Sequence, residues 1–294
     1  MISPKPRWLK VRFPSDEAYF SVSSLLSRLG LQTICQSARC PNIGECWAER
    51  TATFLILGNT CTRSCAFCAV AKGAPTPLDA DEPGRVAEAA AALGLRYAVA
   101  TSVTRDDLPD GGAGHFAATI AALRAKIPGV RVEVLIPDFQ GDTTALRRVV
   151  DAGPDVLNHN LETTSSMYPR INRPAAHYQR SLDVLRRAGT WGAVTKSGLM
   201  IGLGESEAEV DRTLRDLRDA GVRLLTIGQY LQPTRDHAPV ARYFPPEEFD
   251  RRRDFALGLG FEGVEAGPLV RSSYHASRLF AAPPSPPEEE RCAT

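Results

Sequence analysis

The chain has 294 residues, and its 35 Lys and Arg against 34 Asp and Glu leave a formal charge of +1, so bulk charge does not draw it to a polyanion. With 43% apolar and 23% charged residues it has the composition of a globular chain able to bury a core, unlike disordered or disulfide-dense sequences. No run approaches the roughly 18 apolar residues of a membrane span, and the opening MISPKPRWLKVRFPSD has neither the apolar centre of a secretory signal nor the acid-free character of a mitochondrial presequence. These features point to a cytosolic protein that binds neither nucleic acid nor membrane.

The first 50 residues contain no repeating unit but carry a cysteine triplet, Cys35, Cys40 and Cys46. From Phe54 onward, β-rich runs alternate with segments of helical period. FLILG (54–58) leads to a helix near 83–93, YAVAT (97–101) to one near 114–126, and VEVLIP (132–137) to 142–152. DVLNHN (155–160) then leads to 178–189, SGLMIGL (197–203) to 206–219, and LLTIGQYL (224–231) to 246–258. Gly94, Gly129, Gly153, Gly189 and Gly221 stand where these helices should stop, and Asp142 and Ser206 where N-caps belong.

Six strand–helix units imply right-handed crossovers and a parallel sheet, which predicts an α/β fold: a partial (β/α)6 barrel of the TIM type. A doubly wound open sheet is the competing architecture. The expected organisation is an N-terminal extension over 1–50, the barrel over 51–260, a C-terminal segment over 261–280 and a tail over 281–294, rich in proline and glutamate and expected to be disordered. In either architecture the carboxyl ends of the strands deliver chemistry. Here they read CTRSCAFC, TSVTRDD, PDFQGD, NHNLET, GLGE and QYLQPTRD, far more polar than the strands before them.

Seven cysteines are too few for a disulfide scaffold, and six of them fall between positions 35 and 68. Cys61-x3-Cys65-x2-Cys68 lies just past the first strand. Three thiolates on one tight loop suit three corners of an iron–sulfur cube, leaving the fourth iron open to an external chelating ligand. A structural zinc site, which needs a fourth ligand close by, and a buried group of reduced thiols are the alternatives. Cys292, near the end of the chain, reads as a bystander.

The C-x3-C-x2-C spacing, with an aromatic residue before its last cysteine, resembles the radical S-adenosylmethionine (SAM) superfamily. That resemblance implies a [4Fe-4S] cluster on Cys61, Cys65 and Cys68 that binds SAM and reduces it to a 5'-deoxyadenosyl radical. It also implies SAM contacts at Ser102, Asp106 and Asp107 after the second strand, and at Asn160 and Glu162 after the fourth. Lys196 and Glu205, around the motif Gly198-x-Met200-x-Gly202-x-x-Glu205, and Gln229 and Gln232 complete the expected set. Taken singly, each has a plain alternative as a turn glycine or a capping carboxylate.

The first triplet, Cys35-x4-Cys40-x5-Cys46, is economically explained by a second cluster. Together with ARCPNIGECW (38–47), TSVTRDDLPDGGA (101–113), TKSGLMIGLGE (195–205) and GPLVRSSYHA (267–276), it closely resembles the lipoyl synthase family over about residues 33–276. The resemblance implies a sulfurtransferase of lipoate biosynthesis with two [4Fe-4S] clusters. It would insert sulfur at carbons six and eight of an octanoyl group carried on a lysine of a lipoyl carrier domain. An unactivated methylene offers no handle to acid, base or polar nucleophile, so radical chemistry is required.

In the family, Cys35, Cys40 and Cys46 hold an auxiliary cluster that supplies the sulfur, and a serine of RSSY binds its fourth iron. Ser272 is the expected ligand and Ser273 the other candidate. A hard serine oxygen suits iron less well than a thiolate, and so fits a cluster that is dismantled. Arg271 is a candidate to steady that cluster, and Tyr274 and His275 read as packing groups. The implied partners are octanoylated carrier domains of 2-oxoacid dehydrogenase acyltransferase subunits and the glycine cleavage carrier protein, a donor such as ferredoxin or flavodoxin, and an iron–sulfur cluster carrier. Arg147, Arg148, Arg170, Arg173, Arg251, Arg252 and Arg253 are candidates for a basic rim facing an acidic carrier. Sulfur insertion into a small molecule, as in biotin synthase, and a non-enzymatic iron–sulfur carrier are the competing functions.

Overall fold

The computed structural model describes residues 5–11, 17–49 and 51–281. Cys292 and the tail from 282 onward lie outside the described residues. The strands are β1 (Gln32–Thr33), β2 (Thr53–Ile56), β3 (Thr60–Cys61), β4 (Ala71–Lys72), β5 (Tyr97–Ser102), β6 (Arg131–Leu135), β7 (Val156–Asn158), β8 (Thr195–Ile201), β9 (Leu224–Gln229) and β10 (Gly263–Gly267). The helices are α1 (Glu17–Arg28), α2 (Ile34–Ser37), α3 (Ile43–Ala48), α4 (Glu82–Ala92), α5 (Ala113–Lys126), α6 (Thr143–Asp151), α7 (Ala176–Thr190), α8 (Glu207–Asp219), α9 (Pro246–Gly258) and α10 (Ala276–Ala281).

The main sheet runs β1-β2-β5-β6-β7-β8-β9-β10. All neighbours are parallel except β1, which runs antiparallel to β2. Each strand is therefore laid beside its predecessor on the same side, without the reversal of order that a doubly wound sheet requires. The six expected strand–helix units are present as a partial barrel. A seventh parallel strand, β10, extends it, and β1 flanks the other edge; neither had a sequence signal. In β10 the run GVEAG is only partly buried, so it lacks the continuous apolar character of an interior strand.

The punctuation holds with one correction. Asp142 accepts from the amides of Thr144 and Ala145 at the start of α6. Ser206 and Glu209 form a reciprocal capping box on α8. Gly94, Gly129, Gly153 and Gly221 have left-handed φ, but Gly189 does not: α7 runs past it to Thr190, and the chain turns at Gly192, with φ +91°.

The β2 residues Phe54, Leu55 and Ile56, the α4 face of Val86, Ala89 and Ala90, and Phe116 and Leu123 of α5 share one apolar core. Trp47 of α3 is fully buried there against Tyr19 of α1, which fixes the cysteine-bearing N-terminal segment to the barrel. No helix among the described residues is long and apolar enough to cross a membrane.

Candidate active site

A cavity of about 530 Å3 lies at the carboxyl ends of the parallel strands. Cys35 and Cys40 line one part of it, Cys61, Cys65 and Cys68 another, and Ser272 and Ser273 also reach its wall. Cys46 is not part of the wall. Cysteines of both groups thus border one chamber.

The loop bearing Cys61, Cys65 and Cys68 is held by the short parallel ladder of β3 and β4 and by its neighbours. The Ala66 amide donates to Ile171 O at 2.9 Å, Asn172 Nδ2 donates to Ser64 Oγ at 2.7 Å, and the His237 ring meets Cys68 O at 3.0 Å. Arg63 donates to Asp106 at 2.7 and 2.9 Å and to the buried Asp138 at 2.6 Å. One side chain therefore ties the cysteine loop to two successive strand ends. Cys61 Sγ accepts from the amides of Arg63 and Thr104, both at 3.4 Å, and Cys65 Sγ accepts from Arg173 Nε at 3.4 Å. Burial pushes the Cys68 thiol up to about 11.

The first triplet is placed by two short helices. Thr33 caps α2, which carries Cys35; the Cys40 amide donates back to Cys35 O at 2.9 Å, and α3 carries Cys46. Burial raises all three thiols, Cys35 to about 11 and Cys46 to about 12, and the neighbouring thiols add to the shifts of these two. The C-terminal segment closes over this group. Asn42 Nδ2 donates to Leu269 O at 2.7 Å, Tyr274 Oη to Glu45 Oε1 at 3.0 Å, and Thr53 Oγ1 to Ser273 Oγ at 2.8 Å. Asn160 Nδ2 donates to Ser272 Oγ at 2.7 Å. Tyr274 stacks on His275 at 3.8 Å.

The structure brings four of the nine residues expected to contact SAM into the cavity: Ser102, Asn160, Glu162 and Gln232. Burial raises the Glu162 carboxyl, while the Arg173 guanidinium opposes that rise. The other five are placed elsewhere, each with a local reason. Asp106 is occupied by Arg63, and Asp107 pairs with Arg105 at 2.8 Å. Lys196 is fully buried outside the cavity wall, donating to Glu133 at 2.9 and 3.2 Å. Glu205 closes its own turn by accepting from the amides of Gly202 and Leu203. Gln229 spends its amide on the carbonyls of Ile201, Tyr230 and Arg242 and accepts from the Phe244 amide.

The remaining residues fit a polar ligand. Ser102 Oγ and Asn160 Oδ1 are buried and lack a hydrogen-bond partner among the described residues, a costly state that a bound polar group relieves. At Gly198 a Cβ would come within 2.7 Å of Asn160 Oδ1, 2.9 Å of Thr226 Oγ1 and 3.0 Å of Ser272 Oγ, so this glycine keeps the space open. Among the described residues, no three His, Cys, Asp or Glu side chains form a group fit for a single metal ion, the arrangement a zinc centre requires. Two sets of three soft thiol ligands, five of the six thiols bordering one chamber, suit iron–sulfur cubes.

The sequence reading missed Arg63 as a site residue and placed Arg173 on an outer rim; both line the cavity. An arginine between two ligand cysteines was the available signal for the first. Arg271 lies half-buried near Cys40, and loss of solvent presses its guanidinium down. The other rim candidates are largely neutralised: Arg147 pairs with Asp151, Arg148 with Asp110, Arg251 and the buried Arg252 with Glu248, and Arg253 with Asp250.

This architecture and cysteine loop define a radical SAM enzyme, and the model of the radical SAM superfamily matches residues 55–217. The fold is shared with the FeFe-hydrogenase maturase HydG from Carboxydothermus hydrogenoformans, at a TM-score of 0.59 and 14% identity over 90% of this chain and 69% of that one. Streptococcus suis SuiB bound to S-adenosylmethionine matches at a TM-score of 0.55 and 10% identity, over 83% of this chain and 52% of that one. Sequence likeness is much closer elsewhere. The chain is 58% identical to lipoyl synthase of Rubrobacter xylanophilus over 274 residues, covering 92% of this chain and 85% of the relative. It is 54% identical to lipoyl synthase of Thermus thermophilus over 279 residues, covering 94% and 86%. The chain belongs to the lipoyl synthase family. Membership of the radical SAM superfamily carries a [4Fe-4S] cluster and SAM as cofactors.

Proposed function

We propose that this chain inserts two sulfur atoms, at carbons six and eight, into an octanoyl group held in amide linkage on a lipoyl carrier domain. The observation that carries the proposal is the convergence of Cys35 and Cys40, of Cys61, Cys65 and Cys68, and of the two RSSY serines on one cavity. A hydrogen-abstracting centre and a sulfur source must reach the same methylene, and one shared chamber lets a bound chain meet both without leaving.

On this reading, Cys61, Cys65 and Cys68 hold the cluster that binds SAM, with Ser102, Asn160, Glu162 and Gln232 as contacts for SAM. When bound, cluster and SAM supply a carbon radical able to take hydrogen from an unactivated methylene. Cys35, Cys40 and Cys46 hold an auxiliary cluster, and when bound it supplies the sulfur. Ser272, oriented by Asn160, is the iron ligand from RSSY; Ser273 is engaged by Thr53. The apolar part of the wall, including Val103, Leu135, Leu199 and Val270, receives the acyl chain and excludes water. Regions 1–50, 51–260 and 261–280 act as auxiliary-cluster arm, radical barrel and closing segment. The carriers are octanoylated acyltransferase subunits and the glycine cleavage carrier protein, with a ferredoxin- or flavodoxin-type donor, in the cytoplasm.

The test is a single turnover of anaerobically reconstituted protein with an octanoylated carrier peptide, SAM and a strong reductant. A peptide gaining two sulfurs, with matching 5'-deoxyadenosine, supports the reading. SAM cleavage with an unchanged peptide overturns the substrate, and intact SAM overturns the radical chemistry.

A further inference from the structure

Most arginines of this chain that meet a charged partner meet a carboxylate. Arg63 is the nearby example, with its nitrogens on Asp106 and Asp138. Arg173 differs: its Nε donates to a sulfur, Cys65 Sγ, at 3.4 Å. The position is built rather than incidental. The Arg173 amide donates to Tyr168 O at 2.9 Å, and the left-handed Asn172 before it, at φ +59°, turns the chain toward the cysteine loop. The guanidinium carbon then stands 5.8 Å from the ring centre of Phe67 and 5.8 Å from that of Tyr168. Phe67 belongs to the cysteine loop itself. Tyr168 is fully buried and anchored through its hydroxyl to Leu161 O at 2.6 Å.

A planar cation between two aromatic faces keeps its charge and its orientation together, which a lysine in the same place would not. A guanidinium keeps its proton throughout the pH range of proteins. The potential of an iron–sulfur cluster is set by net charge, by hydrogen bonds to its sulfurs and by solvent access. A donor and a fixed positive charge at one ligand sulfur both favour the form with the extra electron.

We propose that Arg173 is a positioning residue that tunes the cluster on Cys61, Cys65 and Cys68, making it easier to reduce through Cys65. This rests on the reading of those cysteines as the ligands of the SAM-binding cluster. The reaction concerned is addition of one electron from an external one-electron reductant; no bond forms or breaks, and Arg173 keeps its protons throughout.

The experiment is a redox titration of full-length, reconstituted protein followed by electron paramagnetic resonance, with wild type, R173Q and R173K compared. The cluster whose signal changes on adding SAM is the one to follow. At a fixed poise, R173Q should lower its ratio of reduced to oxidised form about tenfold, equivalent to ~59 mV for one electron. R173K should fall between R173Q and wild type. The signal that ignores SAM should titrate as in wild type in all three proteins. An R173Q protein with a full complement of iron and an unmoved titration overturns the proposal. So do R173Q and R173K proteins that fold, by circular dichroism, yet bind no SAM-responsive cluster, because Arg173 would then serve assembly. Failure of the underlying reading appears separately, as wild-type protein without any SAM-responsive signal.

Discussion

Asn160 Nδ2 and Ser272 Oγ are joined at 2.7 Å, so a residue at the end of β7 directly orients a hydroxyl from the segment after β10. The other oxygen of the same amide, Oδ1, is buried without a partner. One side chain thus faces both halves of the proposed chemistry, the SAM pocket through its free oxygen and the auxiliary site through its nitrogen.

The two serines are expected to separate on this geometry. S272A should lower lipoyl product by at least about tenfold while leaving reductive cleavage of SAM in place, since the Cys61 loop is untouched. S273A, which loses only the bond from Thr53, should retain most product. Mass analysis of the peptide beside a count of 5'-deoxyadenosine distinguishes them, and equal losses in both variants would remove Ser272 from its assigned role.

G198A tests the shape of the pocket. The position lies in β8 with an ordinary strand φ, so the backbone tolerates alanine, but the new methyl would crowd Asn160, Thr226 and Ser272 within 3.0 Å. Overpacking of this kind costs about 1–3 kcal/mol. Because the crowded atoms belong to the protein itself, the cost should lower the thermal midpoint with or without SAM, and displacement of Asn160 should in addition weaken SAM binding. Equilibrium binding of SAM to reconstituted protein reads it out.

Lys196 should prove structural. Its ammonium is fully buried against Glu133, which also accepts from Tyr97 Oη at 2.7 Å and Asn158 Nδ2 at 3.2 Å. K196M leaves a buried carboxylate without its cation and should cost about 3–5 kcal/mol. Adding E133Q removes that charge, keeps an oxygen for Tyr97, and should recover most of the loss in a denaturant titration. A K196M protein of unchanged stability that fails to bind SAM would restore Lys196 to the cofactor site.

The capping box of α8 makes a pH-dependent contribution. The Ser166 hydroxyl, with the Ser206 amide and hydroxyl, pulls Glu209 down from 4.5 to about 2. A folded-state pKa below the unfolded one stabilises the fold above the unfolded value, and the gain is lost as pH falls from about 4.5 to about 2. Wild type should therefore exceed E209Q in denaturant midpoint near neutrality and converge with it in acid. S206A should cost ~1 kcal/mol at neutral pH.

Strands and helices were legible where one period dominated a long run, as in SGLMIGL and the segment that became α8. The mostly parallel barrel followed from their alternation. The two edge strands were not legible: Gln32–Thr33 is too short to show a period, and Gly263–Gly267 is too polar. Within the site, the cysteine spacings carried their own signal, because covalent distance limits how three thiols on one loop can be arranged. Carboxylates and amides carried a weaker one: Asn160, Glu162 and Gln232 reach the cavity, but others do not. Asp106, Asp107, Glu205 and Gln229 all sit near strand ends as expected, yet each is claimed by an arginine or by backbone that sequence places out of view. Arg173 was visible only as one arginine among many, since its meeting with Cys65 spans 108 residues.

The contacts that close the auxiliary site join residues 220 to 229 positions apart: Thr53 with Ser273, Asn42 with Leu269, and Glu45 with Tyr274. The loop of Cys61, Cys65 and Cys68 instead draws on partners from Thr104 to His237. During synthesis, the loop of Cys61, Cys65 and Cys68 can settle while the segment of Cys35, Cys40 and Cys46 still waits for the last stretch of chain to leave the ribosome. Any chain cut short before Leu269 is left with three thiols and no lid.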